Sequence, residues 1–141
     1  MDDLQQTLAR LMILDTLHRY AWGYDSRDLA LMGNAFAPGG SFAIELAGSA
    51  GWGPYVGRQQ IVDWLAGIMA QQADQRRHNI TNPIFRELQP ASAVVDSFLC
   101  LTAVDSGSPR LVCTGTYRDE LILLDGHWLI QRKVLRLDNA F

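Results

Sequence analysis

The sequence has 141 residues, 48% of them apolar and 19% charged, with a net charge of −3. That length and balance suit one domain with a core of its own and exclude a disordered chain or a miniature fold stapled by disulfides or metals. Basic residues are scattered, no apolar run reaches bilayer length, and the start Met1-Asp2-Asp3 is polar, so a cytoplasmic protein without nucleic-acid or membrane partners is expected.

Residues 4–24 are predicted to form a helix, because Leu4, Leu8, Leu11, Ile13, Leu17, Tyr20 and Tyr24 recur at spacings near three and four. Asp2 or Asp3 caps its start. Asp25-Ser26-Arg27-Asp28 breaks it, and Asp28 caps a short second helix through Phe36 that Pro38-Gly39-Gly40 ends. Residues 41–46 alternate as a strand. Residues 47–57, Gly-rich around Trp52 and Tyr55, read as a loop suited to be a lid. A third helix is expected over 58–72, with Ile61, Trp64, Leu65, Ile68 and Met69 on one face.

The remainder reads as a β meander over 76–88, 92–104, 110–124 and 127–138, with Asp125-Gly126 as a strong hairpin signal. Helices first and antiparallel strands after give an α+β class and a single domain over 1–141. Alternate apolar residues on both faces of strands 92–104 and 110–124 predict a homodimer or homotrimer through the outer sheet face. Cys100 and Cys113 flank a hairpin turn and could face one another, but are expected to be free thiols. Their number and spacing suggest no metal site.

Two side chains are candidates for chemistry. His78 starts a strand in Arg76-Arg77-His78-Asn79, and Asp25 ends the first helix near Tyr20 and Tyr24. A carboxylate on one ring nitrogen of a histidine fixes its tautomer and stabilises the imidazolium, which is what a general base needs. Tyr20 and Asp25 are five residues apart, roughly 140° around an ideal helix, so both reach one cavity only if the helix ends or bends by Asp25. His18, on the side of Asp25, is a weaker pocket candidate. His127, beside Gly126, reads as a solvated hairpin residue.

Nearly the whole chain resembles the SnoaL-like branch of the nuclear transport factor 2-like superfamily. The resemblance lies in the helix through Tyr20 to Asp25, in Asp25-Ser26-Arg27-Asp28-Leu29 leading to Phe36, and in Gly57 to Trp64. It continues through His78-Asn79-Ile80-Thr81-Asn82-Pro83, Gly115-Thr116-Tyr117-Arg118-Asp119, and Gly126-His127-Trp128-Leu129-Ile130 with Arg132-Lys133. It implies a cone: a curved antiparallel sheet packed on N-terminal helices around an apolar pocket.

In this branch scytalone dehydratase, bile acid 7α-dehydratases and a hexachlorocyclohexane dehydrochlorinase use a histidine–aspartate pair to take a proton. Asp25 and His78 fall at those positions, and Tyr20 resembles the tyrosine of the bile acid enzymes. The dehydrochlorinase has lysine there, a departure that argues against dehalogenation. Lys133 or Arg132 matches a cation late in that enzyme's last strand, with the register open.

The resemblance therefore implies a cofactor-independent lyase or isomerase, dehydratase-like, with His78, Asp25 and Tyr20 as its catalytic group. Its ligand would be a hydrophobic cyclic small molecule lined by Trp22, Phe36, Phe42, Trp64, Leu65, Ile68, Phe98 and Leu101, with Lys133 or Arg132 nearby. Two other readings belong to the same fold: a non-catalytic small subunit like that of ring-hydroxylating dioxygenases, or a SnoaL-type polyketide or terpenoid cyclase.

Overall fold

The structure is a computed structural model and describes residues 1–140. In chain order the elements are α1 (Asp3–Asp25), α2 (Leu29–Gly33), β1 (Phe36–Leu46), β2 (Ser49–Val56), α3 (Arg58–Met69), β3 (Gln75–Leu88), β4 (Ser92–Val104), β5 (Pro109–Leu124) and β6 (His127–Leu137). The six strands form one sheet in the order β2-β1-β6-β5-β4-β3.

The expected fully antiparallel sheet is corrected in one place: β1 and β6 run parallel, so the curved sheet is mixed. The reason is topological. The chain leaves β1 through β2 and α3, starts again at the far edge as β3, and meanders back, so β6 arrives beside β1 in the same direction.

Residues 36–46 form one strand, not a helix end followed by a short strand. The Asp28 carboxylate caps α2 by accepting from the Leu31 N–H (3.0 Å), but α2 stops at Gly33. The Ile130 N–H then donates to the Ala35 carbonyl (2.8 Å) and recruits Phe36 to the sheet. Most of 47–57, expected as a loop, is the strand β2. Two of its glycines serve close backbone approach: a Cβ on Gly51 would lie 1.8 Å from the Ile44 carbonyl oxygen, and one on Gly53 2.7 Å from that of Phe42. β2 thus pairs with β1, and its Tyr55 stacks on Trp64 with ring centroids 4.1 Å apart.

Helix α1 has two apolar faces. Ala9, Ile13, Leu17, Tyr20 and Tyr24 are buried against the sheet, while Leu4, Leu8 and Leu11, expected in the same stripe, are exposed on the opposite side. The Thr16 hydroxyl anchors α1 to the sheet by donating to the Trp128 carbonyl (2.7 Å), buried in the core. Gly23 lets α2 close on α1, since a Cβ there would lie 2.4 Å from the Met32 backbone nitrogen.

β4 and β5 place Val95, Leu99, Leu101, Cys113, Tyr117 and Leu121 inward. The two cysteines do not face one another: Leu101 pairs with Cys113 and Cys100 with Thr114, and both thiols are free. Among the described residues no helix is long and apolar enough to cross a membrane.

Candidate functional site

The C-terminal end of α1 and the first half of β3 meet at one point. Asp25 is the last helical residue, and the chain turns away through Ser26 and Arg27, whose φ of 57° is left-handed. Arg27 fixes that turn. Its guanidinium donates to the Met69 carbonyl (3.0 Å) and to the Gln72 carbonyl, capping the end of α3 with a cation where the helix dipole favours one. The ends of α1 and α3 are thereby tied together.

From this position Asp25 grips His78 at two points. One carboxylate oxygen accepts the His78 backbone N–H at 2.7 Å, and the other lies 2.6 Å from Nδ1. Both side chains are 8% exposed. With Nδ1 held by the carboxylate, Nε2 is the nitrogen left for the cavity that His78 lines. Tyr24 packs on the imidazole with ring centroids 4.6 Å apart, and Tyr20 meets it edge-on at 6.3 Å.

Tyr20 and Asp25 therefore reach the same imidazole without the helix ending or bending before Asp25. Tyr20 lines the cavity, while Asp25 stands behind His78 and does not. His18 and His127 are exposed and take no part.

The cavity is lined by Tyr20, Phe42, His78, Leu101, Cys113 and Tyr117, with Leu65 and Ile68 on the α3 side, and measures about 40 Å³. Sites for small organic ligands usually hold about 300–1,000 Å³, so a substrate needs it to widen. Tyr24, Gln72 and Arg76 line both this cavity and a smaller one of about 10 Å³ beside it, and so form the partition between them. The Tyr24 hydroxyl donates to Gln72 Oε1 (2.8 Å) across that partition. Arg76 is held there by Asp74 (2.9 Å).

Beneath the aromatic wall lies a second acid–base pair. The Lys133 ammonium donates to both Asp119 oxygens, at 3.0 and 3.3 Å, with side chains 0% and 1% exposed. The ammonium also sits 3.9 Å from the Tyr117 ring centre and 4.5 Å from that of Tyr20. Burial lowers the pKa of Lys133 and raises that of Asp119, each opposed by the partner's charge. Burial also pushes the Tyr20 and Tyr117 phenols well above their ordinary value. Both stay neutral and able to donate.

Other residues expected around the pocket are placed elsewhere. Trp22 is 70% exposed on the outer side of α1, and Phe98 is 53% exposed on the outer sheet face. Arg132 also points outward, paired with Glu120 at 3.0 Å, so Lys133 is the inward cation, behind the cavity wall and not in it. Phe36 and Trp64 pack behind the lining: Phe36 meets Tyr20 edge-on at 5.8 Å, and Trp64 meets Phe42 at 5.3 Å. Residues that line or back the cavity without having been expected there include Gln72, Arg76, Cys113, Tyr117 and Asp119. The alternation of β5 was the available signal for the last three. Among the described residues no group of three or more His, Cys, Asp or Glu is placed to hold a metal ion.

The fold has many structural relatives. Rv3472 of Mycobacterium tuberculosis, of unknown function, is 24% identical with a TM-score of 0.81, covering 98% of this chain and 77% of that one. A candidate scytalone dehydratase from Novosphingobium aromaticivorans is 18% identical with a TM-score of 0.77, covering 94% and 86%. The beta subunit of a candidate aromatic-ring-hydroxylating dioxygenase from the same organism is 13% identical with a TM-score of 0.79, covering 96% and 92%. At these identities the likeness establishes the fold alone. No curated protein matches the sequence. The model of the SnoaL-like domain matches residues 5–134, nearly the whole cone including Asp25, His78 and Lys133, and the chain belongs to the SnoaL-like family.

Proposed function

We propose that the protein is a cofactor-independent lyase or isomerase that removes a proton from carbon in a hydrophobic, cyclic small molecule. His78 is the base through Nε2, Asp25 orients it, and Tyr20 hydrogen-bonds an oxygen of the substrate. The observation that carries this reading is the two-point grip of Asp25 on a nearly buried His78 at the wall of an apolar cavity. A carboxylate on Nδ1 selects the tautomer whose Nε2 accepts a proton and stabilises the imidazolium that results. A neutral phenol beside it can donate to an oxygen that gains charge. Loss of water is the most economical outcome: His78 takes the proton, a neighbouring hydroxyl leaves, and the same proton returns to it. Proton transfer of this kind needs no cofactor. Family membership and the scytalone dehydratase-like relative support the reaction class.

The test is exchange of the α-hydrogens of 2-tetralone, a bicyclic ketone, in deuterated buffer, followed by mass spectrometry. Wild-type protein is expected to accelerate deuterium uptake, and His78→Ala to return it to the buffer rate. Uptake at the buffer rate with wild-type protein would count against the reading.

A second reading, a non-catalytic subunit, is favoured by the small cavity and by exposed Ile84 and Phe98 in a groove of about 450 Å³ on the outer sheet face. The same face carries our proposal of a homodimer or homotrimer. Sedimentation should show a species larger than the monomer that Phe98→Glu dissociates. A monomer at high micromolar concentration would oppose self-association.

A further inference from the structure

A cleft of about 490 Å³ opens between α1, α2 and the start of β6, and shares no lining residue with the cavity beside His78. Its volume falls within the range usual for a small-molecule site, about 300–1,000 Å³, as that of the His78 cavity does not. Met12, Leu31, Trp128 and Leu129 give it an apolar lining, and Arg19, Arg58 and Asp15 bring charge to it. A second groove, of about 470 Å³, adjoins it, with Met12 and Trp128 bordering both. The second groove is apolar, with Leu8, Ala9, Pro90 and Leu123 in its lining and no charged residue among them. Met12 is 44% exposed and Leu8 50%, so apolar surface runs along this flank of α1 in water.

The two arginines of the cleft differ. Arg19 is matched by Asp15, 2.5 Å away. Arg58, the first residue of α3, is half-buried and has no carboxylate partner among the described residues. Its Nε and Nη2 both donate to the Phe36 carbonyl, at 3.0 and 2.6 Å. That tie takes one edge of the guanidinium. The other edge, between Nη1 and Nη2, keeps two parallel N–H donors with no partner on the chain. A cation drawn partly out of water without a counterion is unfavourable, and a bound anion would relieve it. The cleft therefore holds one uncompensated positive charge, and a carboxylate fits both that charge and the shape of the fork. Asp15, in the same cleft, disfavours a second negative charge on the ligand.

We infer that the protein carries a second ligand site, separate from the His78 cavity, for a monocarboxylate with a flexible apolar tail, an acyl-chain acid. The carboxylate sits on the free edge of Arg58. The tail crosses Met12 and Trp128 and lies in the groove beside Leu8 and Leu123. From Arg19 back to Leu8 the flank of α1 runs roughly 16 Å at about 1.5 Å per residue, which gives a chain of medium length room to lie extended. The charge at one end and the apolar groove at the other set the orientation of the ligand. Binding is non-covalent and independent of the proton transfer proposed for His78.

The experiment is calorimetric titration with octanoate, with octanamide as the uncharged acyl comparison and acetate as the head without the tail. Wild-type protein is expected to bind octanoate at least about tenfold more tightly than either. Equal binding of octanoate and octanamide would remove the anion site, and equal binding of octanoate and acetate would remove the groove. Each result overturns the proposal without recourse to a variant. Arg58→Gln should reduce the preference for octanoate over octanamide by about tenfold. Should Arg58→Gln fail to fold for want of its tie to Phe36, Met12→Glu carries the test, since Met12 is exposed. It sets a negative charge in the path of the tail and should weaken octanoate by about tenfold or more. Leu4→Glu places the same charge on the same helix outside both grooves, and should bind octanoate within about twofold of wild type. Octanoate binding unchanged in both Arg58→Gln and Met12→Glu would place the ligand elsewhere and overturn the site. A loss in Leu4→Glu as large as in Met12→Glu would do the same, by reducing the effect to general charge repulsion.

Discussion

Two acid–base pairs flank Tyr20, and they differ in what surrounds them. Asp25 holds His78 at the cavity wall, where one ring nitrogen remains for a ligand. Asp119 holds Lys133 behind that wall, with both charges sealed among Tyr20, Tyr117 and Phe42. A pair with a spare nitrogen at a cavity can move a proton. A sealed pair cannot reach a substrate and acts only through packing and field. On the proposed function similar contacts serve chemistry in one place and architecture in the other, and variants should separate them by what is lost.

The largest effect is expected at the first pair. His78→Ala removes the proposed base and should cost on the order of 10²–10⁴-fold in exchange rate, with the melting temperature little changed. Asp25→Asn keeps the shape but permits the wrong tautomer, with a comparable loss of rate. Tyr20→Phe should cost roughly 10²–10³-fold as one lost oxyanion donor. If His78→Ala unfolds the protein while keeping activity in the folded fraction, the contrast between the pairs is inverted.

At the second pair the loss should be of stability. Lys133→Met leaves a buried carboxylate uncompensated and is expected to cost about 3–5 kcal/mol, read by urea unfolding. Burial opposes the charged form of both partners, so the pair recovers only part of what sealing them costs. The double variant Lys133→Met with Asp119→Leu should therefore regain most of the stability. A double variant as unstable as the single one would mean that the pair, not its desolvation, holds the core.

The contrast also marks what the sequence disclosed. The α+β order and the long strands followed from periodicity and from Asp125-Gly126. The pairing of Asp25 with His78 came from resemblance, because no local pattern reports a contact across 53 residues. Choosing Lys133 over Arg132 lay beyond alternation, since β6 buries Lys133, Val134 and Leu135 in succession beside a register shift against β5. The two faces of α1 are equally apolar in composition, so Leu4, Leu8 and Leu11 read as core until the sheet showed which face it covers. Glycine in β2 read as loop because the same residue that loosens a chain also lets two backbones approach closely.

The smallest effect is expected on the outer face, where a third kind of pairing is wet. Asp96 accepts from Arg86 at 2.8 Å and twice from Arg118 at 2.7 Å. The Arg118 guanidinium, with help from Arg86, holds the Asp96 carboxyl below its ordinary 3.8, at about 2, against a smaller opposing effect of burial. A folded-state pKa below the unfolded one means that the charged form favours folding. The contribution is present above about pH 4 and is lost as the pH falls toward about 2. Both arginines are about half exposed, so water and salt screen the network, and its worth should stay below about 1 kcal/mol. Asp96→Asn should accordingly leave stability at pH 7 almost unchanged and flatten its decline between pH 4 and pH 2, measured by urea midpoints across that range. Raising the salt concentration should shrink the difference from wild type. A loss at neutral pH as large as that of Lys133→Met would show that this face is buried in solution, as in the proposed homodimer or homotrimer, and that its charges are as sealed as those behind Tyr117.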